Sequence, residues 1–132
     1  MRNIKGMTLI ELVIVMAILG LLVAIAYPSY TSYITSSRRS DAMQALTTTQ
    51  SLLEQNYAAS FTYSGASFST TSPQGYYTIS VASGTTSYTV TATATGLQLQ
   101  DTQCATFSID QTGTKSATNS SGATTTTNCW PQ

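Results

Sequence analysis

Leu12-Val13-Ile14-Val15-Met16-Ala17-Ile18-Leu19-Gly20-Leu21-Leu22-Val23-Ala24-Ile25-Ala26-Tyr27 decides the fold: sixteen residues with no charge and no hydrogen-bonding side chain before the Tyr27 phenol. Uncharged sequence continues to Ser37. As a helix, residues 7–27 would be about 30 Å long, enough to cross a hydrocarbon core. Arg2 and Lys5 precede the run closely, and Arg38 and Arg39 follow at a distance. The nearer pair would hold the N-terminus in the cytoplasm, so that the rest of the chain is exported. Glu11 stands inside the apolar segment. A carboxylate there is costly and needs a partner, which makes it a functional candidate. Ala24-Ile25-Ala26 would also suit a secretory cleavage site, the competing reading of this stretch.

Composition narrows the rest. The chain has 132 residues, room for one domain, and five basic residues balance five acids. Charged residues make up 8%, against roughly 25% in an ordinary soluble domain. That balance argues against nucleic acid as a partner, which needs clustered basic charge. There is no His, and Cys104 and Cys129 have no ligand-spaced neighbours, so zinc and Cys/His or Ser/His/Asp catalysis have no material. Asp101 and Asp110 are the only late acids, too few for a calcium cage and with nothing in the sequence to pair them. The expectations are no enzyme, no cofactor and no metal. Ser and Thr together supply 43 residues, nearly all beyond residue 28.

Beyond residue 28 the pattern is helix, then loop, then strands. Ala42, Ala45, Leu46, Leu52, Leu53 and Tyr57 recur at helical spacing, opposite Ser40, Gln44, Thr47, Gln55 and Asn56. Such a stripe needs a sheet to cover it. Arg38, Arg39 and Asp41 read as a solvated charged collar. Residues 61–74 have the composition of a surface loop. Tyr77, Ile79 and Val81 alternate with polar residues, as do Tyr88, Val90, Ala92 and Ala94, and Ser83-Gly84-Thr85-Thr86 turns one segment into the other. Residues 106–110 and 114–118 read as two further strands. In an exported domain Cys104 and Cys129 read as a disulfide, worth about 3 kcal/mol in the chain-entropy model.

Lys5-Gly6-Met7-Thr8-Leu9-Ile10-Glu11-Leu12, with the apolar run and Tyr27-Pro28 behind it, resembles the prepilin-peptidase motif of type IV pilins. The resemblance covers about the first thirty residues. Met7 stands where the family most often has Phe. The cysteine pair near the C-terminus and Cys129-Trp130 are similar to the family's disulfide-bounded loop.

The resemblance implies an α+β fold, a long N-terminal hydrophobic helix packed on a C-terminal antiparallel sheet. It implies a leader at residues 1–6, a transmembrane and fibre-core helix at 7–28, an amphipathic continuation at 29–60, and a sheet domain at 61–132 with a disulfide loop at 104–129. Prepilin peptidase would cut between Gly6 and Met7, and Met7 would be N-methylated. Glu11, then the fifth residue, would pair with the Met7 amine of an adjacent subunit, and the helix between Gly20 and Pro28 would unwind in the fibre. The implied function is a pilus subunit, held in the inner membrane with other pilins and then polymerised outside the cell for adhesion, twitching motility or DNA uptake. The alternatives are a type II secretion pseudopilin and a minor DNA-binding competence pilin.

Overall fold

The computed structural model describes residues 6–131. Two units separate at residues 34 and 35.

The first unit, through Ile34, contains most of helix α1, Leu9–Ser37. Its apolar residues run all round the helix and none of them is buried. Pro28 lies within this helix. The ring removes one backbone donor and crowds the preceding turn, and helix nevertheless persists on both sides of it.

The second unit is built on α2, Arg39–Ser60. Arg38 alone separates the two helices, and its own backbone stays right-handed helical (φ −67°, ψ −17°). The expected stripe faces inward through Ala42, Ala45, Leu46 and Leu53. Leu52 sits at the stripe's edge, 37% exposed, and Tyr57 is half-buried. Phe61 ends the helix in the left-handed conformation (φ 56°), its amide bonded to the Tyr57 carbonyl.

Four antiparallel strands follow in chain order, β1 Tyr77–Ser83, β2 Tyr88–Ala94, β3 Thr106–Asp110 and β4 Lys115–Thr118. Period-two alternation sends one face of each strand to α2 and the other outward. Ile79, Ala92, Phe107 and Ala117 pair directly across all four strands as one inward row, large beside small. The neighbouring outward rows are Thr78-Thr93-Thr106-Thr118 and Ser80-Thr91-Ser108-Ser116. Ser and Thr, dominant in the composition, thus furnish an uncharged hydroxyl surface on the face opposite the core. Two short elements are absent from the sequence reading, a 3-10 turn at Gly96–Gln100 and a helical turn α3 at Thr126–Cys129.

Asp41 and Arg39 correct the solvated-collar expectation. Asp41 is fully buried, and its carboxylate accepts hydrogen bonds from the Ser72 hydroxyl (2.5 Å) and from the amides of Gln74 (3.0 Å) and Tyr76 (3.4 Å). The Ser72 hydroxyl in turn accepts from the Tyr77 amide. A burial that would be prohibitive for an isolated carboxylate is tolerated because convergent donors replace water. The intervening turn requires Gly75, whose φ of 78° strains a residue with a side chain. This hub ties α2 to the loop leading into β1.

An aromatic cluster closes the other end of α2. Tyr63 stacks on Tyr57 with centroids 4.5 Å apart and meets Tyr88 edge-on at 4.7 Å. The Tyr88 hydroxyl donates to Glu54 (2.9 Å). Burial, reinforced by this hydrogen bond to a carboxylate, pushes the Tyr88 phenol up to about 12. Burial likewise raises Tyr77 to about 12. Both phenols are held neutral in the fold, so their contribution is complete below the ordinary value near 10 and is lost as pH rises toward 12. Equilibrium denaturation of the detergent-solubilised chain should show stability falling across pH 10–12, with a shallower fall in Tyr88→Phe.

Candidate assembly site

At its start, α1 carries a capping box. The Thr8 amide and hydroxyl both donate to the Glu11 carboxylate, at 2.7 and 2.8 Å, while the Glu11 amide reaches back to the Thr8 hydroxyl at 3.3 Å. Thr-x-x-Glu ahead of an apolar run is the sequence signature of this arrangement. The sequence reading gives Glu11 a partner in another subunit and does not include this one, three residues away in the same chain. Glu11 therefore has a partner within its own chain, one that fixes where the carboxylate sits.

Met7 is 64% exposed beside this cap, and Gly6 is the first described residue. Residues 1–5, Lys5 among them, lie outside the described residues. Gly20 and Pro28 both lie within continuous helix, and a Cβ at Gly20 would meet nothing within 4 Å. Unwinding between them is not a property of the single chain. Large apolar residues cover the helix surface from Leu9 to Ile25, with Tyr27, Tyr30 and Tyr33 beyond them, each between 44% and 82% exposed. A surface this extensive and this apolar requires a lipid or protein partner.

Cys104 and Cys129 are joined in a disulfide with Cα atoms 5.7 Å apart. Both half-cystines are buried. Trp130 follows, its indole nitrogen donating to the Ser116 carbonyl and its ring meeting Phe107 edge-on, so the closed loop is fastened to β4 and the core.

Asp101 sits beside Cys104 and collects four donors. Arg39 grips it bidentately, Nε to Oδ2 at 2.6 Å and Nη2 to Oδ1 at 2.9 Å. Gln98 Nε2 adds a contact at 3.2 Å and the Cys104 amide one at 3.2 Å. The carboxylate is 3% exposed and Arg39 19%. Sequence reasoning missed this pair because 62 residues separate its members. The other two described basic residues lie over aromatic rings, Arg38 4.5 Å above Tyr76 and Lys115 5.0 Å above Trp130.

Taken together, a helix with no buried residue, an N-terminal processing motif, and a second helix packed on a four-stranded sheet closed by a disulfide define a type IV pilin. Within that class the chain belongs to the family described as type IV minor pilin ComP, DNA uptake sequence receptor, which matches residues 28–108. Residues 1–27 match the prokaryotic N-terminal methylation motif. A solved type IV pilin from Shewanella oneidensis is 28% identical with a TM-score of 0.53, over 74% of this chain and 99% of that one. Fimbrial protein EcpC of Eikenella corrodens is 58% identical over 38 residues, 29% of this chain and 25% of that protein. The type IV major fimbrial protein FimA of Dichelobacter nodosus is 59% identical over 39 residues, 30% and 25% respectively. The chain thus spans about a quarter of the length of these curated relatives.

Asp101→Ala leaves the Arg39 guanidinium without its carboxylate in a largely buried setting. The expected cost is about 3–5 kcal/mol, the range for breaking a buried ion pair from one side. Denaturant unfolding of the oxidised, detergent-solubilised chain measures it.

Proposed function

We propose that the protein is a structural subunit of a type IV pilus, stored in the inner membrane and polymerised into a surface filament. The observation that carries this reading is α1, with an apolar surface that nothing among the described residues covers, attached to a disulfide-closed domain whose outward strand rows are mostly Ser and Thr. Such a helix is stable in only two settings, a bilayer or a bundle of like helices.

The finer steps follow from the N-terminus. Prepilin peptidase cuts between Gly6 and Met7, removing Lys5 and Arg2 with the leader, and the new Met7 amine is N-methylated. The Met7 amine of one subunit then meets Glu11 of its neighbour in the fibre core, where two charges that are costly alone are tolerable together. Thr8 holds the Glu11 carboxylate ready, so a subunit docked at another height leaves both charges unpaired. The helix-weakening Gly20 and Pro28 bracket the stretch that gives way on packing. Orientation places the N-terminus in the cytoplasm and the sheet domain outside it, and the chain acts by assembling with other pilins rather than as an enzyme.

Mass spectrometry of sheared filaments should find a chain beginning at N-methylated Met7 and lighter by two hydrogens for the disulfide. Glu11→Ala should remove the protein from the filament fraction while leaving it in the membrane. A chain beginning near Tyr27 would overturn the reading in favour of an ordinary secretory signal.

DNA uptake is the second reading, favoured by the description of the family matched over residues 28–108. The processed chain carries three basic side chains against five acids. One of the three, Arg39, is committed to Asp101, which leaves Arg38 and Lys115 for phosphate. Each neutralised phosphate contributes about −0.9 to the slope of log K against log salt. Fluorescence anisotropy on labelled duplex should therefore give a slope no steeper than about −2. A much steeper slope would show cations that this surface does not offer.

A further inference from the structure

The surface of the sheet-bearing unit carries an apolar projection and an apolar recess, both within residues 35–132. The projection is the 3-10 turn Gly96–Gln100, in which three residues per turn set successive side chains about 120° apart. Gln98 is fully buried, so Leu97 and Leu99 flare outward on either side of it, 62% and 65% exposed. Gln98 is pinned by bonds from its Nε2 to the Thr35 carbonyl (3.0 Å) and to Asp101 (3.2 Å), and Asp101 is gripped by Arg39. Rolling the turn to bury its leucines would break the hydrogen bonds of a buried amide and loosen a buried carboxylate. A single exposed leucine is ordinary. Two on one pinned turn form a preorganised apolar knob.

The recess lies between the middle of α2, the loop before β1, and β1 itself. Buried Ala45 and Ile79 form its floor, Leu52 and Pro73 stand at its sides, and the exposed Thr48 and Thr71 lie at its rim. Its volume is about 160 Å³, close to the roughly 150 Å³ of an apolar cavity that takes up benzene, so a leucine side chain fits. None of the residues lining it is charged, and neither is any residue of the 96–100 turn. Seating one in the other therefore strips water from no ion, the cost that most often opposes such a contact. The turn is no part of the recess lining and its leucines stay exposed in their own chain, so a seated knob belongs to another copy.

We infer that the Leu97/Leu99 turn of one copy seats in the recess of a second copy, one leucine inside and the other along Leu52 at the lip. The two patches are different, which makes the contact heterologous. It leaves a free recess on the first copy and a free knob on the second, and so repeats from copy to copy instead of closing on a two-fold pair. Two leucines cover much less than the ~800 Å² per partner of a stable complex, so the contact orders copies that other forces already hold together. It rests on the filament reading, which supplies those forces, and names a hold between sheet-bearing units.

Site-specific photo-crosslinking tests it. A benzophenone amino acid is placed at position 97 or 99 of the full-length chain, filaments are irradiated, and linked peptides are identified by mass spectrometry. A covalent dimer joining one of these positions to residues 45–52 or 69–79 of a second copy is the expected product. Intact filaments that give no link, or links only to lipid, to another protein or to a different part of the chain, overturn the inference and leave the filament reading standing. A wild-type chain that never enters filaments overturns both. A charge exchange reads the same contact without a label. The double variant Leu97→Lys, Leu99→Lys puts ammonium groups against an apolar recess and should lower filament yield about tenfold, while its membrane pool keeps the Cys104–Cys129 disulfide. Adding Thr48→Glu at the recess rim of the same chain should restore most of that yield. Unchanged yield in the double variant, or no recovery when Thr48→Glu is added, overturns the inference as well.

Discussion

Asp101 is the residue on which the sheet-bearing unit turns. Its carboxylate is almost completely removed from water, and four donors replace that water: two nitrogens of Arg39, the amide of Gln98 and the backbone amide of Cys104. A buried charge is tolerable only with this degree of satisfaction. The same four bonds join the beginning of α2, the 3-10 turn after β2 and the half-cystine that opens the disulfide loop. Because the ion pair is bidentate, it fixes direction as well as distance. One interaction thus specifies how a helix end, a turn and a loop meet, which the apolar core alone would leave to nonspecific packing.

Asp41 works by the same logic without a cation. Three donors from residues 72–76 converge on it, and the loop that they belong to would otherwise be a Ser- and Gly-containing segment with little apolar surface to bury. Two buried carboxylates, sixty residues apart in the chain, anchor two irregular segments to the start of α2, Asp41 the loop before β1 and Asp101 the turn after β2. Beside them the ordinary hydrophobic core is built from Leu46, Leu53, Tyr77, Tyr88, Val90 and Phe107. The division of labour is physical. Apolar burial is non-directional and supplies most of the driving force, whereas charge-assisted hydrogen bonds to fixed backbone positions set geometry.

Surface and helix show the opposite chemistries of a chain that lives in two environments. Helix α1 leaves its apolar side chains uncovered, and the outward sheet rows present Thr and Ser with few charges. The first suits lipid or like helices, the second water. Leu97 and Leu99 are the exception on the domain, and their exposure is a consequence of Gln98 being drawn inward toward Thr35 and Asp101.

Local pattern alone settled much of this. The apolar run to Tyr27, the helical stripe from Ala42 to Leu53, the period-two strands and the paired cysteines were legible because burial imposes its repeat directly on neighbouring residues. The capping box at Thr8 and Glu11 was equally written in the sequence, in the Thr-x-x-Glu spacing ahead of the apolar run. What the sequence could not show was the fate of Arg39 and Asp41. Read locally they are a hydrophilic cluster at a helix start, and only the folded chain brings Asp101 and the 72–76 loop to them from 62 and about 33 residues away. Gln98 and its exposed leucine neighbours were hidden for the same reason. Periodicity reports which residues need burial, but the partners of a buried polar group come from distant strands and loops, so tertiary structure alone decides where such a group finds its hydrogen bonds.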